Sequence, residues 1–224
     1  MSEQKIRVFI QARMSSRRFP GKVLAPLAGK PLVYHLIHSL NRVLPWKNIT
    51  VLTSNLNSDD PLVTYLKNLG ISVFRGDLDN VFSRFQSCLE QFPCDYFLRS
   101  CGDSPKLSPD LTRAMVELAL KANADLVTNV YPRTFPKGQS VEILKAQSFT
   151  KIDVQALNAE EQEHITRFYY QNPQNFKIVN VSSQNPEWAN LSMAVDTMED
   201  LHRLKEQSFS ELLKSIAIAA QNQC

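Results

Sequence analysis

The sequence predicts an α/β fold: a mostly parallel sheet with helices on both faces, built as one domain over residues 1–224, with a small arm or subdomain inserted at about 131–183. Three observations predict it. Short runs of branched and aromatic residues alternate with helical patterns through the first 129 positions, as βαβ units require. That alternation breaks from Tyr131 to about Ser183. And 224 residues suit a single core of ordinary size.

The elements follow in order. IRVFIQ (6–11) is a short apolar run rich in branched residues, a buried strand. Pro31 opens a helix whose Leu32, Leu36, Ile37 and Leu40 recur at helical spacing. NITVLTS (48–54) is a second strand. Asp59 or Asp60 caps a helix through Leu62, Tyr65, Leu66 and Leu69, which Gly70 ends. ISVF (71–74) is a third strand, 79–91 a helix and DYFLRS (95–100) a fourth strand. Ser108 and Pro109 start a helix carrying Leu111, Met115, Leu118 and Ala119, and DLVTN (125–129) is a fifth strand. The irregular stretch holds one strand-like run, SVEIL (140–144), and one helix, 159–171. NLSMAVDT (190–197) reads as a late strand and 198–214 as a helix.

Composition narrows the function. Hydrophobic residues make up 43% and charged residues 21%, a folded rather than disordered chain. A net charge of +3 is too small for a general nucleic-acid binder, so no nucleic-acid partner is expected. No apolar run reaches membrane-spanning length and the N-terminus lacks a cleavage signature, so a soluble cytoplasmic protein is expected. Cys88, Cys94, Cys101 and Cys224 form no CxxC pair and read as free thiols in a reducing compartment.

Ligands of open α/β sheets sit at the carboxyl ends of the strands. The loop after the first strand runs Gln11-Ala12-Arg13-Met14-Ser15-Ser16-Arg17-Arg18-Phe19-Pro20-Gly21-Lys22, four fixed cations within ten residues. Guanidinium groups that bond phosphate oxygens in pairs, with a lysine point charge, suit a triphosphate. A solvated basic loop is the competing reading; the position straight after a buried strand favours the phosphate site. The loop has neither GxxxxGK[ST] nor GxGxxG, so side chains rather than a glycine-rich backbone supply the field. Arg13, nearest the strand, is expected to be the better anchored cation, and Lys22 a point charge on a flexible stretch.

A triphosphate brings a metal, usually magnesium on one or two carboxylates. Asp103 in RSCGDSP and Asp196 in MAVDT both fall at predicted strand ends and could meet in one crevice. Each also has a local reading, Asp103 as a turn cap before Pro105 and Asp196 as part of the start of the following helix. His35 and His38 fit a helix face better than a metal site, Glu163-His164 is uninformative alone, and Trp46 and Trp188 fit packing roles.

The opening IQARMSSRRFPGKVLAPLAGKPLVYHLI resembles the signature of the acylneuraminate and 3-deoxy-manno-octulosonate cytidylyltransferases, nearest their SpsF-like spore-coat polysaccharide branch. The likeness continues in order through RGDLDNVFSRF, FLRSCGDSPKLSPDL, ADLVTN, FPKGQSVEIL, EHITRF and NLSMAVDTMEDL. It implies a nucleotidyltransferase-type, GT-A-like fold that works with CTP and magnesium. By that likeness Gln11, Arg13, Ser16, Arg17, Lys22, Arg99 and Gly102 contact CTP. Asp103 and Asp196 hold the metal. Arg13, Lys22, Asp103 and Asp196 carry the catalysis, and the arm pairs two chains into a homodimer. The implied reaction is attack by a sugar or sugar-acid oxygen on the α-phosphorus of CTP, giving a CMP-linked sugar and pyrophosphate for surface polysaccharide or glycan synthesis.

Four positions depart from the family pattern. Lys106 and Ser108 stand where leucine and aspartate are usual, Ser140 replaces an acidic residue and Arg167 replaces proline. All four fall where the acceptor is expected. Two other readings stay open: a nucleotide-sugar-using glycosyltransferase of related fold, which needs no triphosphate-grasping loop, and a catalytically degenerate nucleotide-binding module. Pyrophosphate release separates them.

Overall fold

The computed structural model describes residues 5–221; Cys224 lies outside them. In chain order the elements are β1 (Ile6–Gln11), β2 (Pro26–Leu27), β3 (Lys30–Pro31), α1 (Leu32–Asn41), β4 (Ile49–Ser54), α2 (Asp60–Asn68), β5 (Ser72–Gly76), α3 (Val81–Gln91), β6 (Tyr96–Cys101), α4 (Pro109–Ala122), β7 (Leu126–Thr128), β8 (Glu142–Lys145), α5 (Ala146–Thr150), α6 (Ala159–Glu163), α7 (Arg167–Gln171), β9 (Ile178–Asn180), α8 (Met198–Glu206) and α9 (Ser210–Gln221). Seven strands form one sheet in the order β5-β4-β1-β6-β8-β7-β9. All run parallel except β8, which lies antiparallel between β6 and β7.

Strand alternation divides the core between the two faces. Val8 and Ile10 of β1 and Leu98 of β6 point to a face covered by Leu36 and Ile37 of α1, Leu62 of α2 and Met115 of α4. Phe9 and Phe97 point the other way, to Phe82 and Phe85 of α3, Phe149 of α5 and Tyr169 of α7. The Phe9 and Phe97 rings stack at 5.4 Å and Phe82 and Phe149 at 4.2 Å. Helices therefore cover both faces, as the alternation predicts.

Three elements differ from expectation. Residues 190–197 are not a strand: they hold the end of a short 3-10 turn, one isolated bridge between Lys137 and Ser192, and irregular chain. The apolar alternation is real, since Met193 and Val195 are fully buried. Their backbone groups, however, go to two different segments: Met193 N–H donates to Lys137 O and Val195 N–H to Asp103 O. Gly138 permits the crossing, with φ at +86°, because a Cβ there would stand 2.6 Å from the Met193 carbonyl carbon.

The helix expected over 159–171 is two short ones, broken where His164 leaves helical geometry (φ −110°, ψ 84°). Ile165, in the break, and Tyr169, in the second helix, both belong to the aromatic core. The helix expected over 198–214 breaks at Gln207, because its halves serve different cores. Leu201 and Leu204 pack with Leu27, Leu32 and Val195, whereas Ile216 joins the main cluster. β9 falls inside the stretch read as irregular; three residues are too few to show a period. Of the span 131–183, β8 and β9 belong to the main sheet, and the helices between them lie on its aromatic face.

Candidate active site

β1 and β6 run side by side, Gln11 opposite Cys101, and the loops beyond them face one another. They are held close. Gly102 N–H donates to Gln11 O at 2.9 Å, and a Cβ on Gly102 would stand 2.9 Å from the Ala12 Cβ. A glycine is needed there for the two loops to meet. The space above them is a cavity of about 380 Å³. Gln11, Arg13, Ser16, Arg17, Lys22, Gly102, Asp103 and Asp196, all chosen from sequence, line it.

The basic loop is anchored at both ends. Gly21 adopts φ +73° and its N–H donates to Met14 O at 2.7 Å, which folds the loop back on itself. The Met14 N–H donates to the Asp59 carboxylate at 2.7 Å. Asp59, in the short turn before α2, is fully buried and also accepts from Thr53 Oγ1 at 2.8 Å, Ser54 N at 2.9 Å and Ser54 Oγ at the end of β4. Asp59 holds the N-cap position of α2 but makes no side-chain cap bond; its oxygens are spent on the loop and on β4. Burial pushes its pKa up, but the hydrogen bonds from Ser54, Met14 and Thr53 outweigh that and leave it below the usual carboxylate value.

A pH-dependent stability follows. Because the folded pKa is depressed, the contribution of Asp59 is full above the unfolded value and is lost as pH falls through the folded one. Asp59→Asn is expected to lower stability by about 3 kcal/mol at pH 7, through loss of charge-assisted bonds. The gap from the parent should narrow as pH is lowered toward acid. Urea unfolding over that range checks it, and a gap independent of pH would show that the charge contributes nothing.

Lys22 occupies the centre of the site. It begins a single 3-10 turn, Lys22–Leu24, and its side chain is only 11% exposed. Its Nζ donates to Asp103 Oδ2 at 2.7 Å, to Val195 O at 2.9 Å and to Asp196 Oδ1 at 3.1 Å. Those three acceptors use all three of the ammonium protons. Burial opposes the charge, but Asp103 and Asp196 outweigh it and raise the pKa above the usual lysine value. Asp196 also takes a salt bridge from Arg18 at 2.9 Å. The expectation of a flexible Lys22 is therefore corrected: the two carboxylates fix it more firmly than the strand fixes Arg13, whose ion pair with Glu163 is 3.8 Å long.

Both carboxylates have left their local roles. The Asp103 side chain is directed at Lys22, and its one bond to the following turn is from Ser104 Oγ at 3.3 Å. Helix α8 is capped not by Asp196 but by Thr197 with Asp200 in a reciprocal box. Asp196 stands beside Asp103 although no strand carries it there. The route is the Met193–Val195 crossing described above.

Arg99 does not line the cavity. It lies one layer behind, donating to Glu142 at 2.8 Å and to Gln11 Oε1 at 3.2 Å, and so orients Gln11. Among the cavity-lining residues that escaped the sequence reading are Leu78, Arg84, Glu163 and His164. A signal existed for Arg84, a charged residue on the otherwise apolar stripe Val81, Phe85, Cys88 of α3. Glu163 and His164 gave none, since only the break after α6 turns them inward.

Residues 7–221 match the family described as cytidylyltransferase. The chain belongs to that family. It is 30% identical over 205 residues to the spore coat polysaccharide biosynthesis protein SpsF of Bacillus subtilis, covering 88% of this chain and 83% of that one. A cytidylyltransferase structure from Leptospira borgpetersenii superposes with a TM-score of 0.86 at 28% identity over 99% of both chains. A CMP:2-keto-3-deoxy-manno-octonic acid synthetase complexed with CTP shares the fold, with a TM-score of 0.59 at 16% identity over 97% of this chain and 99% of that one. The nucleotidyltransferase-type α/β fold and the cytidylyltransferase class expected from sequence both hold. Among the described residues no helix is long and apolar enough to cross a membrane.

Proposed function

We propose that this cytidylyltransferase transfers the CMP group of CTP to a hydroxyl of a sugar or sugar acid, in the cytoplasm, for surface polysaccharide synthesis. The observation that carries the reading is the convergence of Asp103, Asp196 and Lys22 beside an arginine-bearing loop at the carboxyl ends of β1 and β6. SpsF and the octonic acid synthetase, by their names, support the sugar acceptor.

The acceptor hydroxyl attacks the α-phosphorus and releases its proton to solvent, the bond from the α-phosphorus to the oxygen bridging to the β-phosphate breaks, and pyrophosphate leaves. Arg13 and Arg17 bond the phosphates and neutralise charge that builds on the leaving group. Ser16 adds a hydroxyl donor, and Gln11 and Gly102 shape the floor. The residues fit magnesium: a cation already sits between two oxygen-bearing carboxylates, and hard oxygen donors with substrate phosphates are what that ion takes. Asp103 and Asp196 would hold the ion, which would supply charge neutralisation on the α-phosphate.

Pyrophosphate release with each of CTP, UTP, ATP and GTP, against a panel of sugar acids and neutral sugars, tests the reading. CTP should exceed the others, and equal rates or no release with any acceptor would sink it. The arm reading is also kept: we propose that residues of about 131–183 pair two chains. Support comes from β9, which has a partner strand on one side only, and from exposed Tyr131 near its end. Light scattering should give twice the chain mass at micromolar concentration; a monomer mass counts against it.

A further inference from the structure

Among the described residues, Arg84 is a buried cation without a counter-ion. It stands in the first turn of α3, is 4% exposed, and lines the cavity. Its Nη1 donates to the main-chain oxygens of Asp77 at 2.5 Å and Leu78 at 3.4 Å. Its Nε is buried with no partner among the described residues. Among the described residues no carboxylate lies within 4.0 Å of it; Asp59 and Asp77 attract it only from farther away. The charge that acts on it most strongly is a like one, Arg13. Burial and Arg13 together push its pKa down to about 10.

The fold makes room for this arrangement. A Cβ on Gly76 would stand 2.8 Å from Arg84 Cγ, so the arginine stem lies flat on a glycine at the end of β5. Holding an uncompensated guanidinium out of water beside a second one is costly. A neutral base placed there would leave the Arg84 charge standing and Arg13 with only its 3.8 Å pair to Glu163. An anion would offset both at once, and in a partly desolvated cavity that attraction is strong.

We propose that Arg84 and Arg13 together form an anion hole for the polyphosphate of the nucleotide, the portion that leaves as pyrophosphate. This rests on the nucleotidyl-transfer reading for the identity of the natural ligand; the hole itself would hold any polyphosphate. Arg84 is thus a binding residue outside the basic loop, delivered by a different strand and helix.

Calorimetric titration of the full chain, with magnesium in every arm, tests it. The probes are inorganic pyrophosphate, CTP, UTP and cytidine. Arg84→Met should weaken pyrophosphate, CTP and UTP by a common factor, roughly tenfold to hundredfold, and leave cytidine unchanged. Exposed Lys151→Ala, which removes the same charge elsewhere, should change none of them. Pyrophosphate affinity unaltered by Arg84→Met overturns the proposal, and so does a loss confined to CTP and cytidine, which would make Arg84 a reader of the base. Should Arg84→Met fail to fold, Gly76→Ala displaces the same side chain and is expected to lower pyrophosphate affinity in the same direction; no change there overturns the proposal equally. A parent protein that binds pyrophosphate through Arg84 but shows no CTP turnover sinks the cytidylyl-transfer reading and leaves the anion hole standing.

Discussion

Lys22→Met should lower turnover at saturating CTP by roughly a hundredfold to a thousandfold, the loss typical of one preorganised electrostatic group in an active site. The reason lies in what the ammonium does in the resting site. It satisfies three acceptors at once and separates two carboxylates that would otherwise repel. Methionine keeps the length and the apolar stem but none of the three donors. Asp103 loses its only cationic partner among the described residues, while Asp196 keeps Arg18. Lys22→Arg should not rescue, because a planar fork cannot meet three acceptors arranged around one nitrogen. The effect should fall on kcat more than on KM, since Arg13, Arg17 and the rest of the loop remain to bind phosphate. Steady-state kinetics with circular dichroism as a fold check decides it. If turnover stays within about threefold of the parent, Lys22 is a structural cation that merely keeps two acids apart.

How much of this site could be read from the chain depends on how local each signal is. The loop after the first strand and Asp103 each follow a short, regular strand, and period-two spacing makes such elements visible. Asp196 was found for a partly wrong reason. Alternating burial of Met193 and Val195 looks like a strand whether or not a ladder forms, and here the chain crosses Gly138 instead. The anchoring of Lys22 could not be read, because its three acceptors lie 81, 173 and 174 positions away. Asp59 illustrates the same limit. Beside a helix start it reads as a cap, yet its oxygens serve Met14, 45 residues earlier, and β4. Arg84 was legible only as a blemish on an apolar stripe, and its value appears once Gly76 and Arg13 are beside it.

Asp103→Asn and Asp196→Asn should each reduce turnover by roughly a hundredfold or more while leaving the fold intact. Asparagine preserves shape and one acceptor oxygen but removes the charge that would hold a divalent cation. Neither change should unfold the chain. Helix α8 keeps its Thr197–Asp200 cap, and the Asp103 carbonyl still accepts from Val195 N–H at 2.9 Å. Asp103 should matter more. Its side chain is 24% exposed against 37% for Asp196, and its bond to Lys22 is shorter, 2.7 Å against 3.1 Å. A less hydrated carboxylate interacts more strongly with any cation placed beside it. The double variant should be little worse than Asp103→Asn alone, because the two act as one unit and the first loss already disables it. Magnesium titration of each single variant separates the roles. A ligand to the ion should raise the magnesium concentration needed for half-maximal rate, whereas a residue that only positions Lys22 should lower the rate at every magnesium concentration. Near-parent activity and an unshifted magnesium requirement in either variant would remove that aspartate from the metal site and leave it as a counter-ion to Lys22.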